Sequence, residues 1–190
     1  MSRSTRILLL MAFVGTFGYN FSTALPLLAK FVLDVGSVGF GAMTAVLGIG
    51  SLLAALAIAY TRRAGERQIL LGGGVFSVLL ILVGVSRWFV VTLPLLVILG
   101  FAAIIFSASA NTRLQLLAPG HLRGRIMSLY VLLFAGSTPI GAFLLGNVAE
   151  AIGVQKAIVL FGTISALGIV VGFFYRTAHT APAERGNPGD

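Results

Sequence analysis

The stretch APGHLRGRIMSLY, residues 118–130, places two arginines between two long apolar segments. No charged residue occurs in residues 89–112 before it or in residues 126–149 after it. An apolar run of about 20 residues is long enough to cross the hydrocarbon core of a bilayer as a helix. The stretch is therefore predicted to connect two membrane helices at one surface of a membrane.

The composition of the whole chain supports a membrane setting. Hydrophobic residues make up 58% of the 190 residues and charged residues 9%, whereas soluble domains carry about 25% charged residues. Such a chain lacks the polar residues needed to cover a water-soluble globule. The net charge of +8 does not indicate nucleic acid as a partner, because the basic residues form small groups between apolar runs and no continuous stripe. The absence of cysteine excludes disulfides and thiolate metal sites, and no metal or other cofactor is predicted.

Windows of about 20 apolar residues, bounded by charges or turns, predict six membrane helices. Their predicted limits are residues 7–28, 38–60, 69–85, 89–117, 126–149 and 157–175. The N-terminal run has the basic start of a signal peptide, but no cleavage site follows, so the first helix is expected to be retained. We therefore expect an all-α membrane protein with a six-helix transmembrane domain over residues 1–176. The polar tail over residues 177–190 is expected to be disordered in the cytoplasm.

The lysines and arginines predict the orientation of these helices. With six spans both chain termini lie on one side of the membrane, and that side holds ten of the thirteen basic residues. These ten are Arg3, Arg6, Arg62, Arg63, Arg67, Arg113, Arg123, Arg125, Arg176 and Arg185. The other side holds Lys30, Arg87 and Lys156. Because basic loops remain in the cytoplasm, both termini are predicted to be cytoplasmic and the protein to lie in the plasma membrane.

The segment NTRLQLLAPGHLRGRIMSLYVLLFAGSTPIGAFLLGNVAEAIGV, residues 111–154, resembles the C-terminal half of major facilitator superfamily transporters. The branch that it resembles contains the enterobactin exporter and related drug and macrolide efflux proteins. There, the run before the fifth helix of this half reads much like LQxxxPxxLRGRxMSLY. The matching residues here are Leu114, Gln115, Pro119, Leu122, Arg123, Gly124, Arg125, Met127, Ser128, Leu129 and Tyr130.

This resemblance implies both a fold and a function. Major facilitators have twelve helices in two halves, each half contains an inverted pair of three-helix repeats, and the substrate binds near the midplane between the halves. The chain would then be half of an exporter, of the antiporter type, that moves a small amphipathic molecule such as a drug or a siderophore by alternating access. The resemblance implies a transporter and not an enzyme.

Two basic sites are candidates for a cytoplasmic latch that stabilises one access state. Arg123 and Arg125 lie in the quoted stretch, where guanidinium groups can hold helix-end carbonyls, a carboxylate or lipid phosphate. Arg62 and Arg67 lie in TRRAGERQILL, which is similar to the basic loop between paired helices of the superfamily, without the acidic residue usually expected just before the basic cluster. The alternative is that these arginines only anchor the topology.

Polar residues within the apolar windows are candidates for a substrate cavity, because they are costly in lipid unless they pair or line water. The candidates are Tyr19, Asn20, Asn111, Gln115, Ser137 and Thr138. The alternative for Asn111 and Gln115, which share a helix face, is that they bridge helices near the cytoplasmic end. No Asp or Glu lies in the middle of a window, so no proton relay is predicted within this chain.

The sequence GSTPIGAFLLG in the fifth window predicts a local irregularity of that helix. Proline removes a backbone donor, and glycine lets a neighbouring helix approach closely. Gly136, Pro139 and Gly141 are therefore candidates for a gating bend, and the alternative is a kink that serves packing alone. Further close helix contacts are predicted at three small-residue pairs one turn apart: Gly41 with Ala45, Gly50 with Ala54, and Gly168 with Gly172.

The partners expected are membrane lipid, a small-molecule substrate and a second six-helix unit, either an N-terminal half or a second copy. Any proton coupling is expected to run through that unit. The alternatives are a truncated or split gene product, or a membrane scaffold that does not transport and needs a partner half. A membrane enzyme is disfavoured because the apolar windows hold no cysteine, histidine or carboxylate that could form a catalytic cluster. His121 and His179 lie outside them.

Overall fold

The computed structural model describes residues 3–61 and 66–178, and this part of the chain is almost entirely helical. Its α-helices are α1 (Arg3–Phe17), α2 (Phe21–Phe31), α3 (Gly36–Thr61), α4 (Glu66–Val85), α5 (Phe89–Leu117), α6 (Arg123–Ile152) and α7 (Val154–Ala178). A short 3-10 turn, Gly120–Leu122, precedes α6, and no β-strand occurs in the described ranges. Arg62 of the predicted latch, His179 and residues 179–190 of the predicted tail lie outside the described residues.

Six segments of the described chain are long and apolar enough to cross a membrane, which confirms the predicted six-span, all-α fold. The helices α1 and α2 together form the first span, and α3 to α7 form the second to the sixth. The spans are Ile7–Phe31, Gly36–Tyr60, Arg67–Val85, Phe89–Leu117, Gly120–Ile152 and Val154–Gly172. Many large apolar side chains on their outer faces are exposed, as expected where lipid or another membrane helix covers them.

The first span differs from its predicted form. Its apolar window suggests one continuous helix, but helical geometry is interrupted at Gly18, Tyr19 and Asn20 between α1 and α2. An apolar window reports composition and not backbone conformation, so it gives no sign of such a break. The first span is therefore a discontinuous helix.

The fifth span is longer than its apolar window. Helix α6 begins at Arg123 and ends at Ile152, so Arg123 and Arg125 lie in its first turn and not in the loop before it. Charged residues lower the hydropathy of a window although they continue the backbone hydrogen bonds of a helix. The loop between the fourth and fifth spans is accordingly shorter than the sequence suggests.

The packing of the six spans follows an inverted pair of three-helix repeats. Helix α3 packs most extensively on α5, as α6 does on α1, and α4 packs on both α5 and α7. Exchanging spans one to three with spans four to six converts the α3–α5 contact into the α6–α1 contact. The third span is the most enclosed, with 56% of its window buried, whereas the second and fifth spans have 17% and 22% buried. The second and fifth spans therefore carry the largest uncovered faces.

Small residues allow a close helix contact between α3 and α5. A Cβ atom on Gly50 would overlap the Val97 carbonyl, and one on Gly100 would overlap the Leu47 carbonyl. Ser51 donates a hydrogen bond to the Leu47 carbonyl at 2.9 Å within its own helix. The two backbones touch here because glycine at both positions leaves no Cβ between them, and Ser51 Oγ also donates to the Gly100 carbonyl at 3.4 Å across the contact.

The three predicted small-residue pairs have different surroundings. Gly50 lies against Val97 of α5, and Ala54 is fully buried. Gly168 and Gly172 lie against the side chains of Phe13 and Leu10 in α1, respectively. No other atom lies within 4 Å of a Cβ built on Gly41. Gly41 thus belongs to the uncovered face of α3.

Candidate functional site

The break in the first span packs against the third span. A side chain on Gly18 would collide with the Phe76 ring of α4. The backbone of Asn20 starts α2 by accepting a hydrogen bond from the Ala24 amide at 2.8 Å. Glycine is therefore the residue that lets Phe76 lie against the break, which places Tyr19 between the two helices.

Asn20 joins the break to α6. Its side chain is only 2% exposed, its Nδ2 donates to the Thr16 carbonyl at 2.7 Å, and its Oδ1 has no hydrogen-bond partner among the described residues. A Cβ atom on Gly141 would lie 2.7 Å from both terminal atoms of this amide. In this conformation Asn20 is enclosed between helices, and its predicted contact with substrate stays a prediction.

Tyr19 connects the break to α5. Its hydroxyl donates to the Ala103 carbonyl of α5, and the Ser107 side chain lies near the same hydroxyl. Its ring stacks on Phe76 with centroids 5.1 Å apart and meets Phe134 of α6 edge-on at 4.8 Å. Tyr19 therefore touches α4, α5 and α6 at once.

A row of polar side chains follows one face of α5. Ser107, Asn111 and Gln115 lie at intervals of four residues, which places them on one side of a helix, and we call them the α5 polar row. Gln115 Nε2 donates to Asn111 Oδ1 at 2.5 Å, and Asn111 lies near the Tyr130 hydroxyl of α6. Tyr19 of the first span thus lies at one end of the row, and Tyr130 of the fifth span lies further along it.

Aromatic rings join these two tyrosines. Tyr130 stacks on Phe134 with centroids 5.9 Å apart and an interplanar angle of 4°, and Phe134 in turn meets Tyr19. The rings that continue this aromatic cluster are Phe21, Phe76 and Phe106. Each such pair contributes about 0.5–1.5 kcal/mol beyond its buried area, so the cluster fixes the two hydroxyls relative to the α5 polar row.

The structure brings together only some of the predicted cavity residues. Tyr19, Asn111 and Gln115 belong to one group, and sequence analysis missed Ser107 and Tyr130. The spacing of four residues before Asn111 is a signal for Ser107, and Tyr130 stands at the end of the motif already quoted. Neither signal identifies the partner across the helices, since that depends on packing.

Ser137 and Thr138 of α6 bond within their own helix. Both hydroxyls donate to the Phe134 carbonyl at 3.1 Å, and Ser137 Oγ lies 2.8 Å from a Cβ built on Gly15 of α1. Helix α6 continues without interruption through Pro139, which is exposed, as is Gly136. The assignments of Ser137 and Thr138 to the cavity and of Pro139 to a gating bend stay predictions.

The arginines of the predicted latch are on the surface. Arg67, Arg123 and Arg125 are exposed, and within the described ranges none of them has an ion-pair or hydrogen-bond partner. Positive charges in the first turn of α6 are at the end of the helix whose dipole disfavours them. The latch stays a prediction, and the geometry leaves Arg123 and Arg125 free for a partner outside this chain.

The chain matches a known protein family over nearly its whole length. The family model MFS_3, described as a transmembrane secretion effector, matches residues 1–185. The chain belongs to this major facilitator family. The resemblance read from the sequence is thereby confirmed, and the protein is a multi-pass membrane protein of a transporter family. No curated protein and no solved structure matches the chain significantly.

The described side chains of the site carry no charge. The described side chains around the α5 polar row are hydroxyls, amides and aromatic rings. The described carboxylates outside it, Asp34 and Glu150, lie near span ends. Among the described residues no group of three or more histidine or acidic side chains could hold a metal ion. The site can donate and accept hydrogen bonds and stack on flat apolar surfaces.

Proposed function

We propose that this chain forms one six-helix half of an exporter that moves small amphipathic molecules by alternating access. The observation that carries the proposal is the α5 polar row with Tyr19 and Tyr130 at the meeting point of the first, fourth and fifth spans. Aromatic faces suit the apolar part of an amphipathic molecule, and neutral hydroxyls and amides suit its polar part. Binding energy is then spread over many weak contacts, which favours a broad range of substrates.

Exposure along the α5 polar row supports a path for the substrate. Ser107 and Asn111 are half-buried, and Gln115 is exposed. The row thus becomes more accessible toward the end of α5. In our proposal a substrate enters along this row from the side of the chain termini and reaches the aromatic cluster at the break.

A second six-helix unit is part of the proposed carrier. The second and fifth spans are the least buried of the described chain, and the open face of α3 includes Gly41 and Gly48, with no atom within 4 Å of a Cβ on either. Small residues on an open face allow close approach of another membrane helix. We propose that an N-terminal half or a second copy covers these faces and supplies any proton coupling.

An efflux assay tests the proposed transport directly. Cells lacking their own drug exporters would express this chain alone and with its genomic neighbours, and retention of a fluorescent amphipathic dye would be measured. We expect efflux with the appropriate partner, and Asn111→Leu should lower the rate about fivefold, which corresponds to about 1 kcal/mol. Lack of efflux in every combination would instead favour the scaffold or split-gene alternative.

Asn147 of α6 provides a matched control for Asn111. It is exposed, and its Nδ2 donates to the Phe143 carbonyl four residues earlier at 2.7 Å, so Asn147→Leu removes a helix amide without touching the α5 polar row. Unchanged efflux by this variant would localise the effect of Asn111→Leu. Equal loss in both variants would contradict a substrate role for the row.

Orientation can be tested cleanly because the chain contains no cysteine. Charge bias supports cytoplasmic termini in the plasma membrane. Single cysteines at Gly120 and at Ser37 would lie at opposite ends of the spans. We expect a membrane-impermeant maleimide applied to intact cells to label Ser37→Cys and not Gly120→Cys, and the reverse labelling would contradict the proposed orientation.

A further inference from the structure

A cavity of about 720 Å³ lies at the end of the bundle that holds the α6–α7 connection. Three elements enclose it: the last turns of α2, the last two turns of α6 and the first turn of α7. Its wall combines apolar side chains, among them Leu27 and Phe31, with a carboxylate and an ammonium group, Glu150 and Lys156. It is separate from the α5 polar row, none of whose residues line it.

The two charges of this cavity occupy unfavourable helix positions. Glu150 lies in the last turn of α6 and Lys156 in the first turn of α7. A helix C-terminus carries partial negative charge and a helix N-terminus partial positive charge, so each side chain is at the end that repels it. Neither has an ion-pair or hydrogen-bond partner in the part of the chain that the structure describes.

The backbone strengthens the same pattern of charge. Helices α6 and α7 meet at Gly153, whose φ of 93° only glycine adopts readily. The helix ends at this junction have few intrahelical partners for their terminal carbonyls and amides. The α6 side of the cavity therefore attracts a cation, and the α7 side attracts an anion.

Gln155 holds the α7 side of the cavity in place. Its Nε2 donates to the Ser86 carbonyl at 3.2 Å and to the Val85 carbonyl at 3.4 Å, which ties the start of α7 to the end of α4. The cavity wall that carries Lys156 is thus anchored to a neighbouring span.

Apolar surface continues from the charges toward the lipid. Phe31 is 63% exposed and Ile152 is 45% exposed, and both line the cavity. A ligand that satisfies the whole site needs a positive group, a negative group close to it and an apolar part. That description fits a zwitterionic membrane lipid better than a water-soluble ion.

We propose that this cavity binds the head group of a zwitterionic phospholipid with a primary ammonium group, that is, a phosphatidylethanolamine. The ammonium group donates to Glu150, the phosphate accepts from Lys156 and from the first turn of α7, and an acyl chain lies along Leu27 and Phe31. A primary ammonium is required because a quaternary one has no hydrogen to donate to the carboxylate.

A second pair of charges near the same end of the bundle provides the control. Lys30 lies in the last turn of α2, the end that favours a cation, and its Nζ lies 5.1 Å from the centroid of the Phe31 ring. Asp34 precedes the N-terminus of α3, the end that favours an anion. Neither residue lines the 720 Å³ cavity.

Native mass spectrometry of the full chain in mild detergent tests this proposal. The protein would be incubated with equal amounts of palmitoyl-oleoyl phosphatidylethanolamine and phosphatidylcholine. We expect wild type to retain phosphatidylethanolamine about two- to fivefold more strongly, the range that partly exposed charge pairs give. Equal retention of the two lipids by wild type would overturn the proposal without any variant being needed.

The variants separate the two charged contacts. Glu150→Gln should lower retention of phosphatidylethanolamine to that of phosphatidylcholine, because only the ammonium contact is lost. Lys156→Gln should lower both about two- to fivefold, because both lipids carry the phosphate. Asp34→Asn and Lys30→Gln should change neither. An unchanged preference in Glu150→Gln, or equal losses in the control variants, would contradict the site.

Free phosphoethanolamine distinguishes a lipid from a soluble ligand with the same charges. We expect it to displace the bound lipid only at a large excess, since it lacks the apolar part. Displacement at equal concentration would contradict a lipid occupant.

Discussion

Two helix crossings occupy equivalent positions in the two three-helix repeats, but they are built differently. At the α3–α5 crossing, Gly50 faces the Val97 carbonyl and Gly100 faces the Leu47 carbonyl. Both helices continue for several turns on either side of this contact. Two uninterrupted helices therefore meet at this contact.

The α1–α6 crossing also uses close glycine contacts, but a buried asparagine lies at it in addition to a serine. Gly15 of α1 faces Ser137, and Gly141 of α6 faces the Thr16 carbonyl and the Asn20 amide. Helix α1 ends at Phe17, immediately after the contact, and Pro139 lies two residues before Gly141. One side of this crossing is thus the end of a helix.

The difference shows how one fold unit can serve two purposes. Close glycine contacts hold both crossings together through dispersion, because lipid gives helices no hydrophobic reason to associate. At α3–α5 the continuous helices resist any displacement. At α1–α6 the break lets α1 shift relative to α2, so we expect movement during transport to concentrate there.

Breaking the α3–α5 crossing should have the largest effect. Gly100→Val places branched atoms where the Leu47 carbonyl lies, and overpacking of this kind costs about 3 kcal/mol when the backbone cannot move. We expect a loss of monodisperse protein on size-exclusion chromatography. Gly74→Val in α4, whose Cβ meets no atom of another residue within 4 Å, should behave as wild type, and a monodisperse Gly100→Val protein would contradict a rigid crossing.

Equal alanine substitutions compare the two crossings directly. Gly100→Ala should destabilise the protein by about 2 kcal/mol and Gly141→Ala by about 1 kcal/mol, because α1 can move away from the added methyl group. Thermal unfolding in mild detergent measures both. In the efflux assay the order should reverse, with Gly141→Ala the more defective. Equal stability losses would show that the break gives α1 no freedom.

Removal of the amide at the break should have a smaller effect. Asn20→Ala loses the bond from Nδ2 to the Thr16 carbonyl, but it also removes a buried Oδ1 that has no partner among the described residues. Hydrogen bonds between membrane helices contribute about 0.6 kcal/mol on average, so the two changes nearly cancel. We expect the thermal midpoint to stay close to that of wild type, and a loss above about 2 kcal/mol would mean that Oδ1 is satisfied in the folded protein.

The spans of this protein could be predicted from sequence because crossing a bilayer depends on a local property, the length of an apolar run. The window at residues 89–117 has the limits of α5 for this reason. The family could also be recognised, since its motif is contiguous. Helix ends were less accessible, because Arg123 and Arg125 continue α6 although they are charged.

The site could be predicted only in part because its residues meet through packing. Tyr19 and Asn111 stand out as polar residues in apolar runs, but the break between α1 and α2 depends on Phe76 from another span. The proximity of Tyr130 and Asn111 depends on the packing of α5 and α6. A single sequence gives no information about which faces of two distant helices meet.

A last pair of substitutions separates the hydroxyl of Tyr19 from its ring. Tyr19→Phe removes the hydrogen bond to the Ala103 carbonyl but keeps the ring contacts with Phe76 and Phe134. The stability loss should be about 0.6 kcal/mol, against about 3 kcal/mol or more for Tyr19→Ala, which also empties the space of the ring. Thermal unfolding of both variants measures this difference. If the break is held by aromatic packing, as the contacts of Gly18 with Phe76 indicate, Tyr19→Phe retains its geometry and the efflux assay reports the hydroxyl alone. Equal destabilisation by the two substitutions would instead show that the hydrogen bond of Tyr19, and not aromatic packing, maintains the break between α1 and α2. Any movement at the α1–α6 crossing would then depend on that one bond.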